Sequence, residues 1–189
     1  MSALSERNNA HSRSPHFRSV YSVNPVSAAG CILVLSFFMI SILILTKNEE
    51  QDLPGCLESV AWSDDVHVFD SFSTDRTVEI AETAGAKVTQ RPFDNWSAHQ
   101  NWGLANINFK HPWVLYIDAD ERVSDGLRSA AFTAAQPNAA ESAFRIQRRD
   151  FFSDGTWLKH AQISPYYIRL FRPSKIRYER LVNPVSIVD

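Results

Sequence analysis

The stretch Trp113-Val114-Leu115-Tyr116-Ile117-Asp118-Ala119-Asp120-Glu121 decides the reading of the fold. A strongly apolar run reads as a buried strand, and it stops abruptly at two carboxylates one residue apart. If the strand continued, alternation would point Asp118 and Asp120 to the same side, and a turn there brings them within reach of one cation. Hard oxygen ligands suit Mg²⁺ or Mn²⁺, and these cations suit a diphosphate. The same residues also read as a strand closing in a solvated acidic turn.

Upstream of this stretch, strand and helix signals alternate. Ile40-Ser41-Ile42-Leu43-Ile44-Leu45 is β-branched and apolar, and Thr46-Lys47-Asn48-Glu49-Glu50 breaks it. A helix is expected from Asp52 to Val60 with Pro54 in its first turn. Val66-His67-Val68-Phe69 is a short strand ending at Asp70. A helix over Val78–Ala84 follows, stopped by Gly85. Lys87–Gln90 reads as a strand and Trp96–Ala105 as a helix. Strands separated by helices imply βαβ units, hence an α/β fold with a mostly parallel sheet and helices on both faces. Ligands of such sheets bind at the carboxyl ends of the strands. Thr46 to Glu50, Asp70 to Asp75 and Asp118 to Glu121 are therefore expected on one rim.

Composition sets the outer limits. The 189 residues are 44% hydrophobic and 12% aromatic with a net charge of −2, as expected of a globular chain rather than a disordered one. The lack of a dense Lys/Arg stripe argues against a nucleic-acid partner. Cys31 and Cys56 give neither a disulfide framework nor metal-ligand spacing, so a reducing, cytoplasmic setting is expected. The histidines show no metal-ligand spacing, and His67 reads as structural. Trp96, Trp102 and Trp113 read as core in preference to a carbohydrate platform.

Residues 1–38 differ from the rest. Residues 1–25 are Ser/Asn/Arg-rich, which predicts disorder. Val26–Leu45 carries no charge and is formally long enough to cross a bilayer. With Arg13 and Arg18 ahead of it, it also resembles part of a secretory signal, without a cleavage site. The strand at 40–45 competes for the same residues. The expected division is an N-terminal extension at 1–38, with Met39 as the working start, and one domain at 39–189.

Thr46-Lys47-Asn48-Glu49-Glu50, Asp70-Ser71-Phe72-Ser73-Thr74-Asp75-Arg76-Thr77 and Asp118-Ala119-Asp120 together resemble, in order and spacing, the motifs of family 2 glycosyltransferases. The likeness is nearest to the lipopolysaccharide-core β-glucosyltransferase subgroup, which carries stretches similar to Arg91-Pro92-Phe93 and Asn101-Trp102. The resemblance implies a GT-A fold, a nucleotide-sugar donor and a divalent cation, Mg²⁺ or Mn²⁺, on Asp118 and Asp120. It further implies donor contacts at Thr46, Lys47, Glu49, Asp70 and Asp118. A glycan or glycolipid acceptor, peripheral membrane contact and the inner face of the cytoplasmic membrane follow from the resemblance alone.

Departures from the family pattern matter too. Lys47 stands where Tyr is common, so a stacking contact is lost, although its ammonium could instead reach a phosphate. Phe72 replaces a Gly, and if that turn needs a positive φ the side chain is strained. Asp70 also reads as an Asx-turn or cap, and Asp75 as a helix cap. Gln100 and Asn101 either touch the donor sugar or lie on a solvated helix face. Arg145, Arg148, Arg149, Arg169, Arg172 and Arg177 read either as a patch for an anion or as a solvated face. For the catalytic base, Pro184 stands where relatives carry Glu, leaving Glu179 as the nearest candidate, with Asp150 and Asp154 behind it. Two other readings stay open: an inactive nucleotide-sugar-binding module, and a nucleotidyltransferase, which would usually show glycines after the first strand.

Overall fold

The computed structural model describes residues 18–21, 40–152, 154–158, 166–179 and 185–188. Strand β2 (Ile40–Thr46) is buried along its whole length. It lies parallel to β3 (Val66–Asp70) on one side and to β5 (Trp113–Asp118) on the other. Strand β4 (Lys87–Gln90) extends the parallel set beyond β3. Helices α1 (Leu53–Val60), α2 (Thr77–Thr83) and α3 (Trp96–Asn106) connect these strands. Every element expected between Ile40 and Ile117 forms, with ends displaced by no more than a residue.

The period of two along β2 divides the core. Ile40, Ile42 and Ile44 face one layer with Leu53, Cys56 and Val60 of α1 and with Leu127 and Ala131 of α4 (Asp125–Ala134). Leu43 and Leu45 face the other, with Phe69, Val114, Tyr116, and Trp102 of α3. Burying each large aliphatic side chain of this kind contributes about 1.5–3 kcal/mol. That covering on both faces explains why β2 and β5 lack polar alternation.

Past β5 the sheet changes character. Strand β8 (Tyr166–Phe171) is antiparallel to β5, and β7 (Ala143–Phe151) is antiparallel to β8. Strand β6 (Glu121–Val123) follows the acidic turn. Strand β1 (Arg18–Tyr21) pairs parallel with β6 and antiparallel with β7, giving the order β4-β3-β2-β5-β8-β7-β1-β6. Disorder was the expectation for residues 18–21. The backbone edges of β6 and β7 accept a strand whatever its composition, because ladder hydrogen bonds involve no side chains. A separate hairpin joins β9 (Ile176–Glu179) and β10 (Val185–Val188).

The competing readings of Val26–Leu45 resolve for its second part, since Ile40–Leu45 belongs to β2 at the centre of the sheet. Met39 and the rest of residues 1–38, apart from β1, lie outside the described residues, as does Pro184. No helix among the described residues is long and apolar enough to cross a membrane.

Candidate active site

The carboxyl ends of β2, β3 and β5 open onto a cleft of about 680 Å³. Its lining includes Thr46, Lys47 and Glu49 after β2, Ser71 and Phe72 after β3, and Asp118, Ala119 and Asp120 after β5. A second groove of about 630 Å³ lies between α1 and α2 and contains none of the expected site residues. Glu49, Asp118 and Asp120 therefore do meet at one rim.

The turn after β5 is built from within. Glu121 is buried, and its Oε2 accepts from the Asp118 backbone N–H at 2.9 Å, closing a tight loop over Ala119. Arg122 donates through Nη1 to the carbonyls of Ala119 (3.1 Å) and Glu121 (2.9 Å), and through Nη2 to the Asp52 carbonyl (2.8 Å). It thereby ties the turn to the start of α1. Gly55 makes room for it, since a Cβ there would sit 2.8 Å from Arg122 Nε.

The two aspartates differ sharply. Asp118 Oδ1 accepts from the Tyr116 hydroxyl at 2.8 Å, and Oδ2 accepts from Arg169 Nη2 at 2.8 Å. Burial alone would raise its pKa, but Arg169 and the Tyr116 hydroxyl outweigh that and hold it below the usual range. Asp120 has no side-chain partner among the described residues. Burial and the neighbouring Asp118 charge push its pKa up. Glu49 is half-buried, and burial, then Asp120, Asp52 and Asp118, lift its pKa to about 7. Negative charge is thus under-compensated at Asp120 and Glu49, and a divalent cation would relieve it.

Among the described residues no cluster of three or more His, Cys, Asp or Glu side chains is arranged to hold a metal on its own. Two hard carboxylates still fit Mg²⁺ or Mn²⁺, since such ions take one or two protein carboxylates and complete their shell with water and phosphate oxygens. Asp118 retains lone pairs beyond those used by Tyr116 and Arg169.

The other expected residues fall differently. Asp70 is fully buried and accepts from Thr46 Oγ1 (2.9 Å), Ser73 N (2.8 Å), Ser73 Oγ and Gln90 Nε2 (2.9 Å). Burial raises its pKa, but these donors hold it low. Its carboxylate acts as an Asx-type pin between β2, β3 and β4 and does not line the cleft, which favours the turn reading for Asp70, whereas Thr46 joins the same pin and also lines the cleft. Lys47 Nζ donates to the carbonyls of Ser71 (3.0 Å) and Phe72 (2.6 Å), bracing a turn in which Phe72 has φ +59°. The strain expected at Phe72 is present. Asp75 stands one residue before the cap position of α2, which is Arg76, and accepts from Thr77 N (3.0 Å), Thr77 Oγ1 (2.5 Å) and Glu50 N (3.1 Å), so it braces the turn rather than capping the helix.

Glu179 ends β9, more than half exposed and 3.2 Å from Arg177 Nε, and it is not among the residues lining the cleft. The hairpin register that places it follows from pairing with β10, which local spacing does not specify. Gln100 and Asn101 are engaged within the fold rather than on a solvated helix face. Gln100 is buried and donates to the Tyr116 hydroxyl at 3.2 Å, while Asn101 exchanges hydrogen bonds with the Tyr178 backbone at 2.8 Å. Trp113 and Trp102 pack inside as expected, but Trp96 is 46% exposed, on the cleft wall.

Sequence reasoning missed Arg169 as an individual. Its guanidinium lies 4.2 Å from the Tyr116 ring and also donates to Glu121 Oε1 at 3.2 Å. The antiparallel register of β5 and β8, Leu115 opposite Leu170, sets Arg169 beside Tyr116. The only local signal was its place between apolar neighbours Ile168 and Leu170.

Fold and site define a class: an α/β protein with a ligand cleft at the carboxyl edge of a parallel sheet, furnished with acidic oxygens. The chain belongs to glycosyl transferase family 2, whose model matches residues 41–187. A Rickettsia bellii protein described as an uncharacterized glycosyltransferase is 42% identical over 90 residues, 47% of this chain and 30% of that one. The lipopolysaccharide core biosynthesis glycosyltransferase LpsC of Rhizobium meliloti is 26% identical over 145 residues, 74% of this chain and 53% of that protein. The chain thus spans about a third to a half of the length of these relatives. Glucosyl-3-phosphoglycerate synthase from Mycobacterium tuberculosis, solved with uridine diphosphate, superposes with TM-score 0.41 and 23% identity over 50% of this chain and 40% of that one.

Proposed function

We propose that the cleft binds a nucleotide-sugar donor with Mg²⁺ or Mn²⁺ and transfers the sugar, with inversion, to a cell-envelope glycan or glycolipid at the cytoplasmic face of the membrane. The observation that carries this is the meeting of Glu49, Asp118 and Asp120 at one rim, with charge left unbalanced at Asp120 and Glu49. Family membership supports the reaction class. The envelope acceptor is supported only by the likeness to LpsC.

When bound, the cation would neutralise the charge that grows on the departing diphosphate. The chain's own part is positional. Tyr116 and Arg169 orient Asp118, Glu121 and Arg122 hold the turn that presents Asp120, and Glu49 closes the β2 side. The acidic rim is matched to a ligand that brings its cation with it.

A donor at a hundred times its dissociation constant should stabilise the fold by roughly 2.7 kcal/mol, a readable thermal shift. A screen of UDP-, GDP- and dTDP-sugars with and without Mn²⁺ should find one such donor. In Asp120→Asn the Mn²⁺-dependent part of the shift should vanish while the unliganded fold is not appreciably destabilised. An unchanged shift in that variant would overturn the site.

A second reading, an inactive donor-binding module, draws on the absence of Glu179 from the cleft lining. Donor binding without transfer or hydrolysis would favour it. Consumption of sugar 1-phosphate with a nucleoside triphosphate would instead favour a nucleotidyltransferase.

A further inference from the structure

The outer wing of the sheet sorts its arginines by face. Along β7 successive side chains alternate between two sides. Ile146 joins the core layer that contains Leu127, and Arg148 on the same side lies 3.0 Å from Asp150 and 3.9 Å from Glu121. Arg145, Gln147 and Arg149 point the other way, and an antiparallel sheet can leave such a face to water. Arg145 is exposed, and neither it nor Arg149 meets a carboxylate among the described residues. We propose that this open face of β7 and β8 holds an acidic sugar of the acceptor, a glycan bearing carboxylate or phosphate. This assignment deepens the glycosyl-transfer reading of the cleft and rests on it.

Arg149 is prepared for such a group. Its guanidinium lies 4.9 Å from the centroid of the Trp157 ring, and its Nε is shielded from water without a hydrogen-bond partner among the described residues. Stacking on an indole keeps the planar fork in one orientation, which suits bidentate contact with a carboxylate or phosphate. Trp157 is anchored in turn by pairing with Phe151. Phe152 N–H donates to the Thr156 carbonyl at 3.0 Å and Leu158 N–H to the Asp150 carbonyl at 2.8 Å. An arginine ordered by the fold rather than by a counter-ion loses little freedom when an anion arrives.

A platform for the sugar ring lies beside it. Tyr166 stands opposite Gln147 and is 54% exposed. Diagonal neighbours across an antiparallel pair are about 7–8 Å apart, so Arg149 and Tyr166 can touch one acidic sugar together. The C–H face of a pyranose packs on a phenol ring, and the Gln147 amide between them offers a donor and an acceptor to hydroxyls. Donors interleaved with rings suit a polyhydroxylated anion. A bilayer would require a contiguous apolar area instead.

Register sets this face next to the acidic rim. Strand β8 runs antiparallel to β5 with Leu115 opposite Leu170, so its first residues lie level with the carboxyl end of β5. Further along β8, Arg169 reaches Asp118 at 2.8 Å. A glycan whose terminal hydroxyl meets the donor sugar at the rim therefore trails its preceding residues over β8 and β7. Arg145, Gln147, Arg149, Trp157 and Tyr166 are not among the residues lining the cleft, so the two surfaces can be tested apart.

The test is calorimetry on the full chain with hexagalacturonate, mannose 6-phosphate, neutral maltohexaose and inorganic phosphate at matched ionic strength. One of the two acidic sugars should bind roughly tenfold more tightly than either maltohexaose or inorganic phosphate, and which one identifies the substituent. Arg149→Gln should weaken that binding roughly tenfold, and Arg149→Lys, which keeps the charge without the fork, should recover only part of it. Tyr166→Ala, at an exposed position, should weaken it about threefold or more, while Arg177→Gln on β9 leaves it unchanged. Acidic sugars bound no better than maltohexaose or inorganic phosphate would overturn the proposal, as would affinity unchanged in Arg149→Gln or in Tyr166→Ala. Binding to phosphatidylglycerol vesicles without binding to either acidic sugar would overturn it in favour of a lipid surface. The Mn²⁺-dependent donor shift reports on the cleft separately and should persist in Arg149→Gln. Its absence from the parent would overturn the donor reading, and the acceptor role of this face with it.

Discussion

The turn after β3 and the turn after β5 each begin with an aspartate at the end of a parallel strand, and they use it in opposite ways. Asp70 is surrounded by donors from Thr46, Ser73 and Gln90, and its charge is consumed in joining three strands. Asp118 is restrained by Tyr116 and Arg169, and the turn then carries Asp120 into the cleft with no side-chain hydrogen-bond partner among the described residues. Supply of hydrogen-bond donors thus decides whether a strand-end carboxylate holds the fold or awaits a ligand. Of the donors that restrain Asp118, Tyr116 comes from β5 itself and Arg169 from the antiparallel half of the sheet, across the β5–β8 seam.

The contrast can be broken from either side. The largest effect is expected for Arg169→Met, which leaves Asp118 and Glu121 without their shared guanidinium. Removing one partner of a buried ionic group costs about 3–5 kcal/mol. Urea unfolding should report that loss, and full stability in the variant would disprove the neutralising role. Asp70→Ala should cost about 2–3 kcal/mol, because buried Thr46 loses an ionised acceptor and the links from Ser73 and Gln90 go with it. The same measurement on Asp120→Asn should move stability by less than about 1 kcal/mol or raise it, since that charge is uncompensated. Equal losses at Asp70 and Asp120 would erase the distinction between the two turns.

A pH series sharpens the comparison further. Glu49 has a folded-state pKa of about 7, above its ordinary 4.5, so the folded state holds this proton more tightly than the unfolded chain. The resulting stabilisation is fully present below pH 4.5 and is lost as pH rises through about 7. Glu49→Gln should flatten the slope of stability between pH 5 and 8, and an unaltered slope would show that Glu49 does not titrate there. The smallest effect belongs to Phe72→Gly. Relief of the positive φ should add up to about 1 kcal/mol, offset in part by glycine's greater chain entropy. A clear loss instead would show that the exposed ring packs in the ligand-free fold.

Much of the parallel half was legible because its signals are local. Ile40–Leu45, Trp113–Ile117 and the helix stop at Gly85 each depend on a few neighbouring residues, and all form. The antiparallel half was not legible in this way. Strands β7 and β8 carry arginines among apolar residues, which blurs their alternation, and only their pairing gives those arginines a destination. Trp96 misled for a related reason. Its position on α3 was readable, but which wall of the cleft lay beside it was not.

By itself the sequence determined the α/β class, the order of its strands and helices through Ile117, and the rim on which Glu49, Asp118 and Asp120 gather. Periodicity and strand direction suffice for that, since parallel strands must all end on the same side. Only the tertiary structure decided which carboxylates remain available. That choice depends on donors brought from far along the chain, such as Arg169 to Asp118 and Gln90 to Asp70, and on how deeply each oxygen is removed from water.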